Sequence, residues 1–157
     1  MNPPSKDIKD LLLALSYAGM TVDTESIFVD DDTVLVDEDN LGTLSNLTFG
    51  STLFIGREPN KPDNCVTIFD TGAWPPSLGL TSKGYEYPTI QIRVRNLRYI
   101  DGWTIIEEIK NVLHGLAQQT MNGTLYSVVY CTSGPALLDY DEHNRVRFII
   151  NFNLQRR

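Results

Sequence analysis

The chain has 157 residues, enough for one domain that buries about two-thirds of its unfolded surface without a disulfide or metal staple. Hydrophobic residues at 41% and charged residues at 21% exclude a wholly disordered chain. Thirteen Lys and Arg against 20 Asp and Glu give a net charge of −7, which excludes an overall basic footprint for nucleic acid or an anionic membrane.

Residues 1–10 carry Pro-Pro and mixed charge rather than a basic-then-apolar signal. No run approaches the roughly 18 apolar residues of a membrane span. An intracellular chain with reduced thiols is expected. The first helix follows: Ser5 is placed to cap it, Asp7 suits the positive end of the helix dipole, and Gly19 can close it. Ile8, Leu11, Leu12, Leu15 and Ala18 recur at helical spacing and predict one apolar stripe.

Residues 1–39 hold ten acids and two lysines, so the acidity is concentrated in the first quarter of the chain; such a segment reads as a solvated face. Within residues 22–50, the β-prone runs Ile27, Phe28, Val29 and Thr33, Val34, Leu35, Val36 flank Asp30, Asp31 and Asp32 and predict a hairpin or ribbon. An EF-hand loop starting at Asp37 fails, because its fifth position is Leu41 rather than an oxygen ligand and its twelfth is Thr48 rather than the required Glu. The segment reads as an acidic, exposed insertion.

Strands are expected at Leu53, Phe54, Ile55, Gly56, Arg57 and at Cys65, Val66, Thr67, Ile68, Phe69, Asp70, Thr71, with a loop from Asn60 to Asn64. A long loop then runs from Gly72 to about Glu86 with Trp74, Pro75, Pro76 and Tyr85; unstructured loops of this length are commonly functional. From Tyr87 to Arg95, Ile90, Ile92 and Val94 alternate with Gln91, Arg93 and Arg95, which predicts a strand with one core face and one polar, basic face. A second helix is expected from Asp101 or Thr104, capped by Asp101 or by a Thr104–Glu107 box. Its stripe is Ile105, Ile106, Ile109, Val112, Leu113 and Leu116, ending near Gly115 to Ala117. Two last strands are expected, Tyr126 to Cys131 and Arg145 to Leu154, joined through Ser133, Gly134, Pro135 and the acidic turn at 139–144.

This order predicts an α+β fold: a mainly antiparallel sheet of about four strands, two helices on one face, and an inserted β-hairpin or ribbon. The whole chain, 1–157, reads as a single domain with 22–50 as the insertion. The other sheet face would carry Gln91, Arg93, Arg95, Arg147, Asn151 and Asn153.

No residue set assembles catalytic chemistry. His114 and His143 lack neighbours at ligand spacing. Cys65 and Cys131 fall within apolar strands and read as buried structural thiols. Glu107 and Glu108 point about 100° apart on a helix. Asn46-Leu47-Thr48 and Asn122-Gly123-Thr124 match a glycosylation pattern that has no meaning without secretion. No catalytic residue, cofactor or metal is expected.

Several ordered stretches resemble the tail terminator (minor capsid) proteins of long-tailed bacteriophages. They are residues 60–72 (NKPDNCVTIFDTG), 87–95 (YPTIQIRVR), Gly102-Trp103 through Leu113-His114-Gly115, and 145–154 closing with Asn153-Leu154. The opening helix and Leu53-Phe54-Ile55-Gly56 come in the same order. The resemblance covers about residues 5–20 and 52–157; residues 22–50 depart from it. It implies a non-enzymatic virion protein at the tail–neck junction, assembled in the host bacterial cytoplasm. Such a protein closes into a ring, usually a hexamer, which caps the tail tube, ends its polymerisation and offers a surface for head joining. Its implied partners are its own copies, the tail-tube protein and a head-completion or connector protein. Genomic DNA would pass the lumen without specific binding, and no membrane is involved. A head-completion or connector protein is the runner-up reading, and a small α+β enzyme or ligand-binding domain the third. For a ring-forming chain, the expected subunit interface comprises Trp74, Pro75, Pro76, Tyr85 and Tyr87 as aromatic and proline anchors. Arg93, Arg95 and Arg147 would pair with acids of a neighbouring subunit, which the acidic insertion could supply.

Overall fold

A computed structural model describes residues 2–18, 47–77 and 84–157. The expected Gly19 helix stop, the 27–36 ribbon, the Asp37 acidic run and most of the insertion lie outside these residues. Helix α1 spans Pro4–Ala18. Pro4 suits its first position, where a missing N–H costs nothing. Ser5 does not cap the helix. Its N–H and hydroxyl instead donate to the Asp70 carboxylate at 3.0 and 2.6 Å, pinning the start of α1 to the sheet. The helix then buries Ile8 and Leu12 completely, as the stripe requires.

The strands are β1 (Leu53–Ile55), β2 (Cys65–Trp74), β3 (Tyr87–Asn96), β4 (Leu116–Met121), β5 (Thr124–Tyr140) and β6 (Val146–Arg156), with helix α2 at Tyr99–Leu113. They form one sheet in the order β1-β2-β3-β6-β5-β4. Among the described residues six strands replace the expected four, and the β1–β2 pair is parallel, so the sheet is mixed. Three local features account for the difference. Gly115 (φ 86°) ends α2 one residue before β4 begins, so Leu116 and Ala117 enter a strand rather than a last helical turn. Asn122 and Gly123 (φ 49° and 78°) then form a two-residue turn that folds β4 onto β5. Asn-Gly suits such turns because both positions need positive φ. Finally, Ser133, Gly134 and Pro135 do not break β5; register shifts against β6 absorb them inside a 17-residue strand.

The two helices share one sheet face. Ile90, Ile92 and Val94 on β3 and Phe148, Ile150 and Phe152 on β6 are fully buried with Ile106, Ile109 and Leu113 of α2. Each such side chain contributes about 1.5–3 kcal/mol of transfer free energy. Helix α2 crosses β6 at Gly102, where an added Cβ would lie 3.0 Å from Phe148 Cε2. Tyr99 and Trp103 meet the same Phe148 edge-on at 5.1 and 5.6 Å. The helix begins earlier than expected. Arg98 holds the N-cap position without a side-chain cap bond, and Asp101 lies inside the first turn. The Thr104 hydroxyl donates back to the Ile100 carbonyl at 3.0 Å instead of forming a capping box. Cys65 is buried, and burial pushes its thiol pKa up. Cys131 is only half-buried, because β5 leaves the cover of the helices there; its N–H donates to His114 Nδ1 at 3.1 Å.

A buried polar cluster ties α1 to the far strands. Asp7 and Tyr126 are both fully buried. The Tyr126 hydroxyl donates to Asp7 Oδ2 at 2.7 Å, and Asn122 Nδ2 donates to Asp7 Oδ1 at 2.8 Å. Arg156 closes the cluster, donating to Tyr126 Oη at 3.2 Å and to the Asn2 carbonyl at 2.9 Å.

Candidate subunit interface

The outer sheet face, away from the helices, carries two features. At the end where β2 finishes and β3 starts, Trp74 pairs with Tyr87 in antiparallel register. Gly72 (φ 138°) accompanies a register shift in β2 that turns the strand before this pair. Strand β2 thus extends to Trp74, so the expected loop begins at Pro75 rather than Gly72. Trp74 is 67% exposed, far more than a Trp folded back on its own sheet. It stands with Pro75, Tyr87, Tyr130, Asn153 and Gln155 around a groove of about 420 Å³. Asn153 Nδ2 donates to the Tyr130 hydroxyl at 3.2 Å on the groove floor. Pro76 is exposed beside the groove, and Tyr85 is half-buried next to Glu86, with the Arg157 guanidinium 5.8 Å from its ring centre. Of the expected anchors, Trp74, Pro75 and Tyr87 line this groove, while Pro76 and Tyr85 lie outside its lining. Tyr130 and Gln155 were missing from that set. Gln155 sits on the polar phase of β6, which was readable from its alternation; Tyr130 is brought in by its pairing with Asn153.

The second feature is a polar cleft at the other end of the same face. Arg93 and Arg95 share Glu58, donating to its two oxygens at 3.1 and 2.9 Å. Arg95 is nearly buried and also donates to the Pro59 and Pro62 carbonyls at 2.7 and 2.6 Å, which fixes the 58–62 loop against the sheet. Arg145 binds Asp141 at 2.7 Å and Asp63 at 2.9 Å. Arg147 forms a two-pronged pair with Asp139. Arg147 holds the Asp139 carboxyl below the usual carboxylate range. Burial would raise the Asp141 pKa, but the backbone N–H and guanidinium of Arg145 and the His143 N–H outweigh it and bring it to about 2. Arg93, Arg95 and Arg147 thus occupy the expected face, and each has an acid of its own chain as partner. The insertion offered as their acid source lies outside the described residues.

This architecture is that of a small α+β subunit whose outer sheet face pairs a fixed ionic lattice with an open aromatic groove. The sequence model of the family described as "Bacteriophage tail terminator protein" matches residues 40–157. The chain belongs to that family, and it is a structural protein of a phage tail. Helix α1 precedes the matched segment. Among solved structures, the fold is similar to a chain from the virion of a native gene transfer agent particle, with a TM-score of 0.50 and 10% identity over 68% of this chain and 79% of that one. No curated protein matches.

Proposed function

We propose that the protein closes into a ring, a hexamer, that caps the tail tube, ends tube polymerisation and presents the surface for head joining. It would act at the tail–neck junction, with genomic DNA passing through the lumen unbound. The observation carrying this reading is the exposed Trp74 beside an aromatic groove. A heterologous contact between unlike surfaces makes a ring when the rotation between copies closes, and large aromatic anchors concentrate the energy of such contacts. Family membership supports the same reading, and the ionic lattice would keep the adjoining face rigid during docking.

The test is the absolute mass of the protein by light scattering, alone and with tail-tube protein. A discrete ring mass is expected in at least one case. Trp74→Ala should raise the concentration needed for assembly by about 30-fold or more, since anchors of this type contribute about 2 kcal/mol or more, while the monomer keeps its fold. A wild-type protein that stays monomeric in both mixtures refutes the ring.

A further inference from the structure

The start of α2 bears an apolar surface that the fold does not use. Tyr99 and Trp103 rest on Phe148, yet remain 44% and 36% exposed. Around them Leu97 is 56% exposed, Ile100 70% and Leu137 46%. Leu137 pairs with Phe148 across β5 and β6, so it joins the same patch on the helix side of the sheet. Residues 99, 100 and 103 lie on adjoining helical rows. Together these side chains expose roughly 500 Å², taking about 200 Å² for each large side chain. That is near the top of the range for the largest apolar patch on a monomer. It is also most of the ~800 Å² that one partner contributes to a standard interface.

We infer that this patch docks into the Trp74 groove of a second copy of the chain, so that patch and groove are the two halves of one heterologous contact. This rests on the ring reading and deepens it. Their placement carries the argument. The patch lies where β3 ends and β6 begins; the groove lies where β3 begins and β6 ends, on the opposite sheet face. The patch is a set of exposed side chains around the start of α2, and the groove is a recess lined by Trp74, Tyr87 and Tyr130. Pairing patch with patch would satisfy two copies and stop there, leaving every groove empty. Pairing patch with groove leaves one free patch and one free groove on each growing chain of subunits, and a fixed rotation between copies then closes it. The area and the apolar character suit the buried centre of an interface, where charged residues are depleted.

The experiment uses two full-length variants, Ile100→Asp and Trp74→Ala. Both side chains are mostly exposed, so circular dichroism and thermal melting should match the wild type. Each variant is measured alone by light scattering and sedimentation, with tail-tube protein where the wild type needs it, and then the two are mixed. At concentrations where the wild type assembles, neither variant should form rings alone, because each needs at least about 30-fold more protein. The mixture should yield a dimer containing one copy of each, because it restores one intact patch facing one intact groove. Rings that persist in Ile100→Asp overturn the docking while leaving the ring itself standing. So does a dimer formed by Trp74→Ala alone, which would show patch meeting patch, and so does a mixture that stays monomeric at about 100 µM. A wild type without rings, alone and with the tube protein, overturns both.

Discussion

Replacing Tyr126 by Phe deletes one oxygen from the centre of the molecule and leaves the ring in place. That oxygen donates to Asp7 Oδ2 at 2.7 Å and accepts from Arg156 at 3.2 Å. Asp7 is fully buried, so no water replaces the lost donor; its other oxygen keeps Asn122 at 2.8 Å. A hydrogen bond to a charged group contributes about 1.5–3 kcal/mol, and the buried acceptor left unpaired places this site at the upper end. We expect a loss of about 2–3 kcal/mol, a fall of about 5–10 °C in Tm for a domain of this size. Urea unfolding and thermal melting measure it, and amide exchange should show α1 opening more readily than the sheet. The sign with pH is a second check. Burial and the Asp7 carboxylate push the Tyr126 pKa well above its ordinary value of about 10. The wild-type advantage is therefore complete below pH ~10 and is lost as pH rises beyond it, so the gap to Tyr126→Phe should close at alkaline pH. A loss under about 0.5 kcal/mol, or a gap that widens above pH ~10, would refute the assigned role of this cluster.

Gly102→Ala should destabilise by about 1–2 kcal/mol. The gain in helix propensity of about 1 kcal/mol is outweighed by a Cβ at 3.0 Å from Phe148 and 3.1 Å from Asn96 Cβ, both buried and unable to yield; a more stable variant in urea would contradict this. Glu58→Gln should cost about 3 kcal/mol, because nearly buried Arg95 loses its only carboxylate partner among the described residues while Arg93 loses the same one; an unchanged urea midpoint would count against it. Acid should unfold the protein through the same face. The Asp139 and Asp141 pKa values lie below those of free aspartate, near 2 for Asp141. Their stabilisation is thus present above pH ~4 and is lost as pH falls toward 2. In a Tm-versus-pH series, Asp141→Asn should flatten that fall; a slope equal to the wild type would argue against it.

The strand at β3 was legible because Ile90, Ile92 and Val94 obey a period of two with nothing competing. The body of α2 was legible for the same reason at a period of 3.6. The sequence around Trp74 allowed either an exposed ring or one folded back on the sheet, and the strand that carries it decides for exposure. Asn122-Gly123 carries a hairpin signal inside its glycosylation pattern. Only the first half of β5, Tyr126 to Cys131, was legible; beyond it Ser133, Gly134 and Pro135 have turn chemistry, and only pairing with β6 keeps them extended. Ser5 was read as a cap for local reasons, whereas its partner Asp70 stands 65 positions away. Tyr126 and Asp7 are 119 positions apart, and no local pattern announces such a meeting. The groove posed the same problem: Trp74, Tyr130 and Asn153 converge only through the strand order.

Strand β6 follows every other strand in the chain, yet it lies in the middle of the sheet between β3 and β5. Until it is in place, the sheet is two separate pieces, β1-β2-β3 and β5-β4, each with an unpaired edge and a half-covered face. A nascent chain lacking β6 therefore has neither Phe148, under the α2 patch, nor Asn153 and Gln155, in the groove. On the proposed assembly both surfaces mature only with β6, so a subunit cut short before it would have no finished end with which to enter, and spoil, a particle under construction.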